Sequence, residues 1–163
     1  MSSLMSYSRT FEVAYIKSAV NKNFCIDLAG GVPGYGKNIH CWSFWGGDPQ
    51  KWVLQPLGRN IYMIRSYQDP NYFIAYEAGA PDGPHSLKLL DDKTWKWNRQ
   101  GKWYITGSNG WNRIKNWENN YWVWDLVDGN ARGGTDIRLW QNNNSNAQLW
   151  YFERVGYTDI WWL

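Results

Sequence analysis

Short apolar runs, broken by glycine, asparagine and aspartate, recur from one end of the chain to the other. Phe24-Cys25-Ile26, Ile39-His40-Cys41-Trp42, Trp122-Val123-Trp124 and Ile137-Arg138-Leu139-Trp140 are examples. Runs of this length, rich in Val, Ile, Tyr and Trp, predict strands. No long segment keeps a 3.6-residue apolar period, so helices are not expected. The pattern is that of an all-β domain of many short strands.

The pattern also repeats. Displaced by 98 residues, the chain matches itself without a gap. Ile16-Lys17 falls on Ile114-Lys115, Asp27-Leu28 on Asp125-Leu126, Gly31 on Gly129 and Gly36 on Gly134. Ile39 falls on Ile137, Trp42 on Trp140, and Gln50-Lys51-Trp52 on Gln148-Leu149-Trp150. A third unit lies between, at a displacement of 48: Ile64-Arg65-Ser66, Asn71, Ile74 and Leu87 take the places of Ile16-Lys17-Ser18, Asn23, Ile26 and Ile39. Trp103 and Trp95 both compete to close this middle unit, with Trp103 at the better distance from the next unit's Ile114. The units run over about 10–56, 57–107 and 108–155, with a tail over 156–163 and no linker between them. Each is too small to bury its own face. Closure around a threefold axis removes exposed edges and predicts a six-stranded barrel capped by three hairpins, one domain over residues 1–163.

Composition sharpens the picture at two points. The chain has 14 Trp and 11 Tyr against 5 Phe. Both abundant types carry a flat apolar face and a polar handle, which suits half-wet surfaces as well as a core. Seventeen basic against 14 acidic side chains leave a net charge of +3, with no basic block of the kind that marks a nucleic-acid partner. No stretch has the length of a membrane-spanning helix, so membrane insertion is not expected. The N-terminal ten residues lack an apolar signal region, and Cys25 and Cys41 do not make a disulfide framework. A cytoplasmic or non-classically released protein is the expectation, with both cysteines as small buried apolar groups. His40 and His85 have no metal-ligand spacing, and no metal site is expected.

A Gln-x-Trp closing a unit, as in Gln50-Lys51-Trp52 and Gln148-Leu149-Trp150, resembles the ricin B-type lectins. Cys25-Ile26-Asp27-Leu28, Gly36-x-x-Ile39-x-x-Trp42 and Gly46-Gly47-Asp48-Pro49-Gln50 strengthen the resemblance, which is greatest to the leaderless lectins of mushrooms and covers about residues 10–155. It implies a β-trefoil, glycan binding at up to three sites of similar build, and no cofactor. It further implies a core role for Gln50, Trp52, Gln148 and Trp150. The sugar pocket is implied to come from an Asp near each unit's start, an aromatic after the Ile, and a polar residue near the Gln.

A sugar offers one apolar face and a rim of hydroxyls, so a pocket needs a flat wall and a few fixed polar groups. Asp27 is then the acceptor of the first unit, Trp42 its wall, and His40 and Asp48 its side contacts. Asp125, Trp140, Arg138 and Asn146 are the matching set of the third unit. In the middle unit Ala75 and Leu90 replace the Asp and the aromatic, so that pocket is expected to bind nothing. Pro49 and Ala147 stand where relatives carry an Asn beside the Gln. Two working sites would let the protein crosslink glycans on different cells, the basis of hemagglutination.

Other roles stay open for several of these residues. Asp27 and Asp125 also suit turn capping. Trp42 and Trp140 also suit packing, in which case Trp45 or Tyr35 would supply the wall. Ile160-Trp161-Trp162-Leu163 either packs back on the barrel or marks a homodimer contact. Galactose-type glycans, including N-acetylgalactosamine, are the ligands the resemblance favours, with the side contacts differing between the two sites. An enzyme is not expected, since no Ser-His-Asp or Cys-His arrangement stands out. The remaining alternative is a protein-binding trefoil such as a protease inhibitor.

Overall fold

The computed structural model describes residues 9–93 and 99–162. Strands β1 (Arg9–Ser18), β2 (Phe24–Leu28), β3 (Ile39–Ser43) and β4 (Trp52–Gly58) make the first unit. Strands β5 (Ile61–Ser66), β6 (Tyr72–Tyr76), β7 (His85–Asp91) and β8 (Trp103–Ser108) make the second. The third has β9 (Trp111–Asn116), β10 (Trp122–Leu126), β11 (Ile137–Gln141) and β12 (Trp150–Ile160). Single 3-10 turns, among them Asp48–Gln50, Arg99–Gly101 and Asn146–Gln148, interrupt them.

The first and last strands of each unit pair in a ring: β1 with β4, β4 with β5, β5 with β8, β8 with β9, β9 with β12, and β12 with β1. That is a closed six-stranded barrel with no free edge. The inner two strands of each unit form the hairpins β2–β3, β6–β7 and β10–β11. The hairpins join one another through Asn38 opposite Lys88, His40 opposite Asp136, and Leu139 opposite His85. The chain therefore folds as a β-trefoil. β12 continues through Gly156 to Ile160, pairing with β1 as far as Arg9.

The core is built from triplets, one residue per unit. Ile16, Ile64 and Ile114 come from the opening strands, Trp52, Trp103 and Trp150 from the closing ones, and Ile39, Leu87 and Ile137 from the hairpins; all are buried in one cluster. The turn into each hairpin repeats as well. Asn21, Asp69 and Asn119 each accept, on the side-chain oxygen, the amide N–H two residues on. Such side-chain turns are what Asn and Asp do best. Between β8 and β9, Asn109 and Gly110 have φ of 55° and 83°, the left-handed pair that a two-residue hairpin requires.

Each closing tryptophan also donates its indole N–H to a buried carbonyl: Trp52 to Ile26, Trp103 to Ile74 and Trp150 to Trp124, at 3.2, 2.9 and 3.3 Å. Trp103 thus takes in the middle unit the place that Trp52 and Trp150 take in the others; its rival Trp95 lies outside the described residues. Cys25 and Cys41 are free and buried. Of the tail, Ile160 is buried with Phe11, Val13 and Val53, whereas Trp161 and Trp162 are exposed. Leu163 lies outside the described residues.

Two predictions concern stability. Trp103→Ala should cost about 3–5 kcal/mol, as large buried aromatics do. Trp103→Phe, which keeps an aromatic ring but loses the indole N–H and part of the buried volume, should cost less, about 2–3 kcal/mol; urea unfolding followed by circular dichroism compares the two. The second prediction concerns the thiols. Burial pushes Cys41 up to about 11 and Cys25 higher still, from an ordinary 9.0. Below pH 9 the folded and unfolded chains both keep these protons. As pH rises from 9 towards 11 the unfolded chain loses them and the folded chain does not, so stability should fall. The fall, read as the urea midpoint against pH, should be smaller in Cys25→Ala/Cys41→Ala.

Candidate functional site

The sites are best built outward from Gln50-Lys51-Trp52. Along β2, residues alternate between the faces of the hairpin. The carbonyl of Ile26 accepts the Trp52 indole, and the next residue, Asp27, carries its carboxylate to Gln50. Gln50 Nε2 donates to Asp27 Oδ2 at 3.0 Å and to the Ser43 carbonyl at 2.9 Å. Its Oε1 accepts the amides of Trp45 and Gly46 at 3.0 and 3.2 Å. One side-chain amide, fully buried, therefore fixes a carboxylate, the end of β3 and the following turn together. The third unit repeats this: Gln148 Nε2 donates to Asp125 Oδ2 at 3.0 Å and to the Gln141 carbonyl at 2.8 Å, and Oε1 accepts the Asn143 amide at 2.9 Å.

The other oxygen of each aspartate meets a residue directly across the hairpin. Asp27 faces His40 in register, and Asp27 Oδ1 lies 2.7 Å from His40 Nε2. Asp125 faces Arg138, whose Nε donates to Asp125 Oδ1 at 2.9 Å. Both aspartates are nearly buried, 6% and 3% exposed. Two residues further along β3, on the face of His40, comes Trp42; the imidazole and indole stack at 5.3 Å and 17°. In the third unit the Arg138 guanidinium lies over the Trp140 ring at 3.7 Å.

The first unit has an open cleft of about 220 Å³. Asp27 and His40 are among its lining groups, with Trp42, Trp45 and Pro49 around them and the backbone of Gly30 and Gly31 alongside. Trp42 is 43% and Trp45 62% exposed, so two flat rings stand open beside one fixed carboxylate. Trp42 also has the glycine Gly133 of the third unit against its ring: a Cβ there would stand 3.2 Å from it. Tyr35, the other aromatic considered for a wall, is exposed outside that lining. Asp48 lies on the exposed turn, with Lys51 Nζ donating to it at 3.0 Å, and Pro49 rather than Asp48 lines the cleft. Asn146 is likewise exposed at the matching place in the third unit.

The middle unit keeps the frame and lacks the chemistry. Ala75 faces Lys88 in register where the others pair Asp27 with His40 and Asp125 with Arg138. Ala75 and Leu90 are buried with Met63 and Phe73 in a small apolar cluster. Gln100 stands three residues before Trp103, not two, and donates to the Ala78 carbonyl at 3.0 Å. His85 stacks on Tyr76 at 5.8 Å and reaches Asp82 at 3.3 Å.

The structure brings the aspartates, glutamines and tryptophans singled out in the sequence together on the hairpins of the first and third units, and it bonds His40 and Arg138, expected only as side contacts, directly to the aspartates. Their direct bond to the aspartate was signalled by the same 13-residue separation in both units, which is the register of a short hairpin. Lys88 and the cleft's glycine rim were missed.

No protein-family model matches the chain, and no curated sequence matches it. Its fold does match solved structures. The Rhizoctonia solani agglutinin superposes with a TM-score of 0.76 at 18% identity, over 93% of this chain and 100% of that one. The Macrolepiota procera ricin B-like lectin, solved in complex with lactose, does so at 0.72 and 22%, over 94% and 100%. The designed three-fold symmetric protein ThreeFoil gives 0.79 at 14%, over 88% and 99%. At these identities the likeness is one of fold.

Gln50→Met keeps the volume and removes the amide. It should take their Gln50 partner from Asp27 Oδ2, the Ser43 carbonyl and the amides of Trp45 and Gly46, at about 1–3 kcal/mol for each buried group left unpaired. Urea unfolding should register a loss of about 3 kcal/mol or more, estimated from the same penalty.

Proposed function

We propose that the protein is a lectin that binds galactose-type glycans through the hairpins of its first and third units. The observation that carries the reading is the cleft of the first unit: a nearly buried Asp27, held by Gln50 and His40, beside the open rings of Trp42 and Trp45. An ionised carboxylate accepts two hydroxyl protons at once, and its bonds are charge-assisted. Two of its acceptor positions are taken by Gln50 and His40, which fixes its direction and leaves the others for a ligand. The apolar face of a galactose-type sugar suits an indole wall. The same frame in the third unit, with Asp125 and Trp140, makes a second site of different character, since Arg138 replaces His40. The buried Ala75 and Leu90 leave the middle unit out. The lactose complex of the Macrolepiota procera lectin and the N-acetylgalactosamine complex of the earthworm R-type lectin C-half support the sugar class by likeness of fold.

A binding role fits the cleft better than catalysis. Glycoside hydrolysis needs two carboxyl groups about 5–10 Å apart across one bond. Asp27 is the carboxylate of the cleft's lining, and Asp48 is turned to Lys51.

The test is a glycan array with the wild type beside Asp27→Asn, Asp125→Asn and the double variant. Loss of a charged hydrogen-bond acceptor costs about 1.5–3 kcal/mol, or about 10- to 100-fold in affinity. Selective binding by the wild type, retention without erythrocyte crosslinking in each single variant, and loss in the double variant are expected. A folded wild type that holds no glycan would overturn the reading in favour of a protein-binding trefoil.

A further inference from the structure

Some of the basic side chains of this protein are neutralised within the fold and others are not. Lys17, Lys51, Arg65, Arg99, Arg138 and Arg154 each have a carboxylate partner. Arg113 and Lys115 are among the described cations that have none, and they stand side by side on one strand. Arg113 Nη1 instead approaches the carbonyls of Ser145 and Gln148 at 3.4 and 3.5 Å. It is partly buried, and that burial holds its guanidinium below the ordinary arginine range.

These two cations are alternate residues of β9, so they share its outer face about 7 Å apart along the strand. Trp111 is the next residue on that face. With Thr106, Ser108 and Asn109 of the neighbouring strand and turn, these three line a groove of about 430 Å³, roomier than the Asp27 cleft. Gly107 lets the two strands approach this closely: a Cβ there would stand 1.8 Å from the Trp111 carbonyl oxygen. A third cation, Lys22, lies 4.8 Å over the Trp111 ring and 4.6 Å over that of Tyr151. Three positive charges thus gather on one wall of the barrel around an aromatic ring and short polar side chains. Like charges held together without an anion focus a positive potential.

We propose that this groove is a second glycan subsite, specific for an acidic sugar, in which Arg113 and Lys115 hold a sulfate or carboxylate and Trp111 carries the ring. Thr106, Ser108 and Asn109 meet the remaining hydroxyls. The inference rests on the lectin reading above and extends it to charged glycans. A guanidinium grips such an oxyanion in two places and an ammonium adds a point charge. The groove runs behind the turn Asn146–Gln148, whose front holds Asp125 through Gln148. A glycan seated at the third unit therefore has an acid-binding wall on the other side of the same turn. A nucleic acid fits less well, because two or three cations on one short strand do not track a phosphate backbone.

Nitrogen-15 correlation spectra of the full chain test this, with galactose, galactose 6-sulfate and galacturonic acid as probes and the Trp111 indole resonance assigned through Trp111→Phe. Galactose should move the Trp42 or Trp140 indoles. The two charged sugars should move Trp111, at least about 10-fold more tightly than galactose does, and less so in high salt. Lys22→Gln/Lys115→Gln, which leaves Arg113 and the turn alone, should remove most of that preference, and adding Arg113→Gln should remove the rest. Whichever of the two charged sugars moves Trp111 identifies the acid. No Trp111 response to either, equal response to galactose, or a preference untouched by the lysine variant would overturn the subsite. So would displacement by a single-stranded oligonucleotide that binds Trp111 more tightly than both sugars. A lack of response at Trp42 and Trp140 would count against the lectin reading instead, so the two failures are distinct.

Discussion

The structure depends on a two-point clamp. In each unit a buried tryptophan gives its indole N–H to the backbone of the hairpin's first strand, and so ties barrel to cap. In the first and third units the glutamine two residues earlier seizes the side chain of the very next residue, Asp27 or Asp125. The spacing follows from strand alternation. Ile26 and Trp124 point into the core while the following aspartates point out, so one short segment reaches a main-chain acceptor on one side and a carboxylate on the other. Burying a carboxylate costs several kcal/mol unless it is well bonded. Gln50 and Gln148 supply that bonding, and the same bonds order the loop that shapes the cleft.

The clamp also explains what varies. Everything inside it is repeated: Gln50 and Gln148, Trp52 and Trp150, Asp27 and Asp125. Apart from Trp42 and Trp140, the positions just outside differ: His40 against Arg138, Pro49 against Ala147, Trp45 against Asn143. The glutamine and tryptophan pin the hairpin at both ends, and the position across from each aspartate has only to supply a donor, which an imidazole or a guanidinium does equally. In the middle unit the indole prong survives as Trp103 with Ile74, while the carboxylate prong has no target in Ala75. There Gln100 slips to a neighbouring carbonyl, and Leu90 and Phe73 fill the space.

The fold was legible in the sequence because a closed threefold barrel repeats its core, and Ile16, Asp27, Ile39 and Trp52 mark the same places in two units. The close of the middle unit was hard to read for a physical reason. Without an aspartate its glutamine is no longer held two residues before the tryptophan, and the motif loosens to Gln100-Gly101-Lys102-Trp103. At the candidate sites the positions of the aspartates and tryptophans could be read, but not how open each ring is. Trp42 and Trp140 occupy equivalent positions, yet one borders an open cleft and the other lies under a guanidinium. That difference goes with the longer reach and fixed charge of Arg138 against His40, which no alignment of the two units displays. Asp48 was misplaced by the same limit: it is next to Pro49 in sequence, but the 3-10 turn sends it to Lys51.

The two units therefore differ in kind and not only in strength. In the first, an imidazole bonded to Asp27 stacks beside an indole that has Gly133 against it and still leaves flat apolar area open. In the third, a guanidinium both neutralises Asp125 and covers Trp140, so a ligand there meets donors before it meets the ring. If both units bind ligands as proposed, the fixed positive charge on that side would bias the third unit towards ligands rich in acceptors, and the open ring and carboxylate of the first would favour an apolar face and donors. One frame, clamped identically twice, thus presents two surfaces of opposite polarity. On the lectin reading proposed above, two such surfaces on one barrel would select for a glycan, or a pair of glycans, that carries both features, a stricter requirement than either site would impose alone.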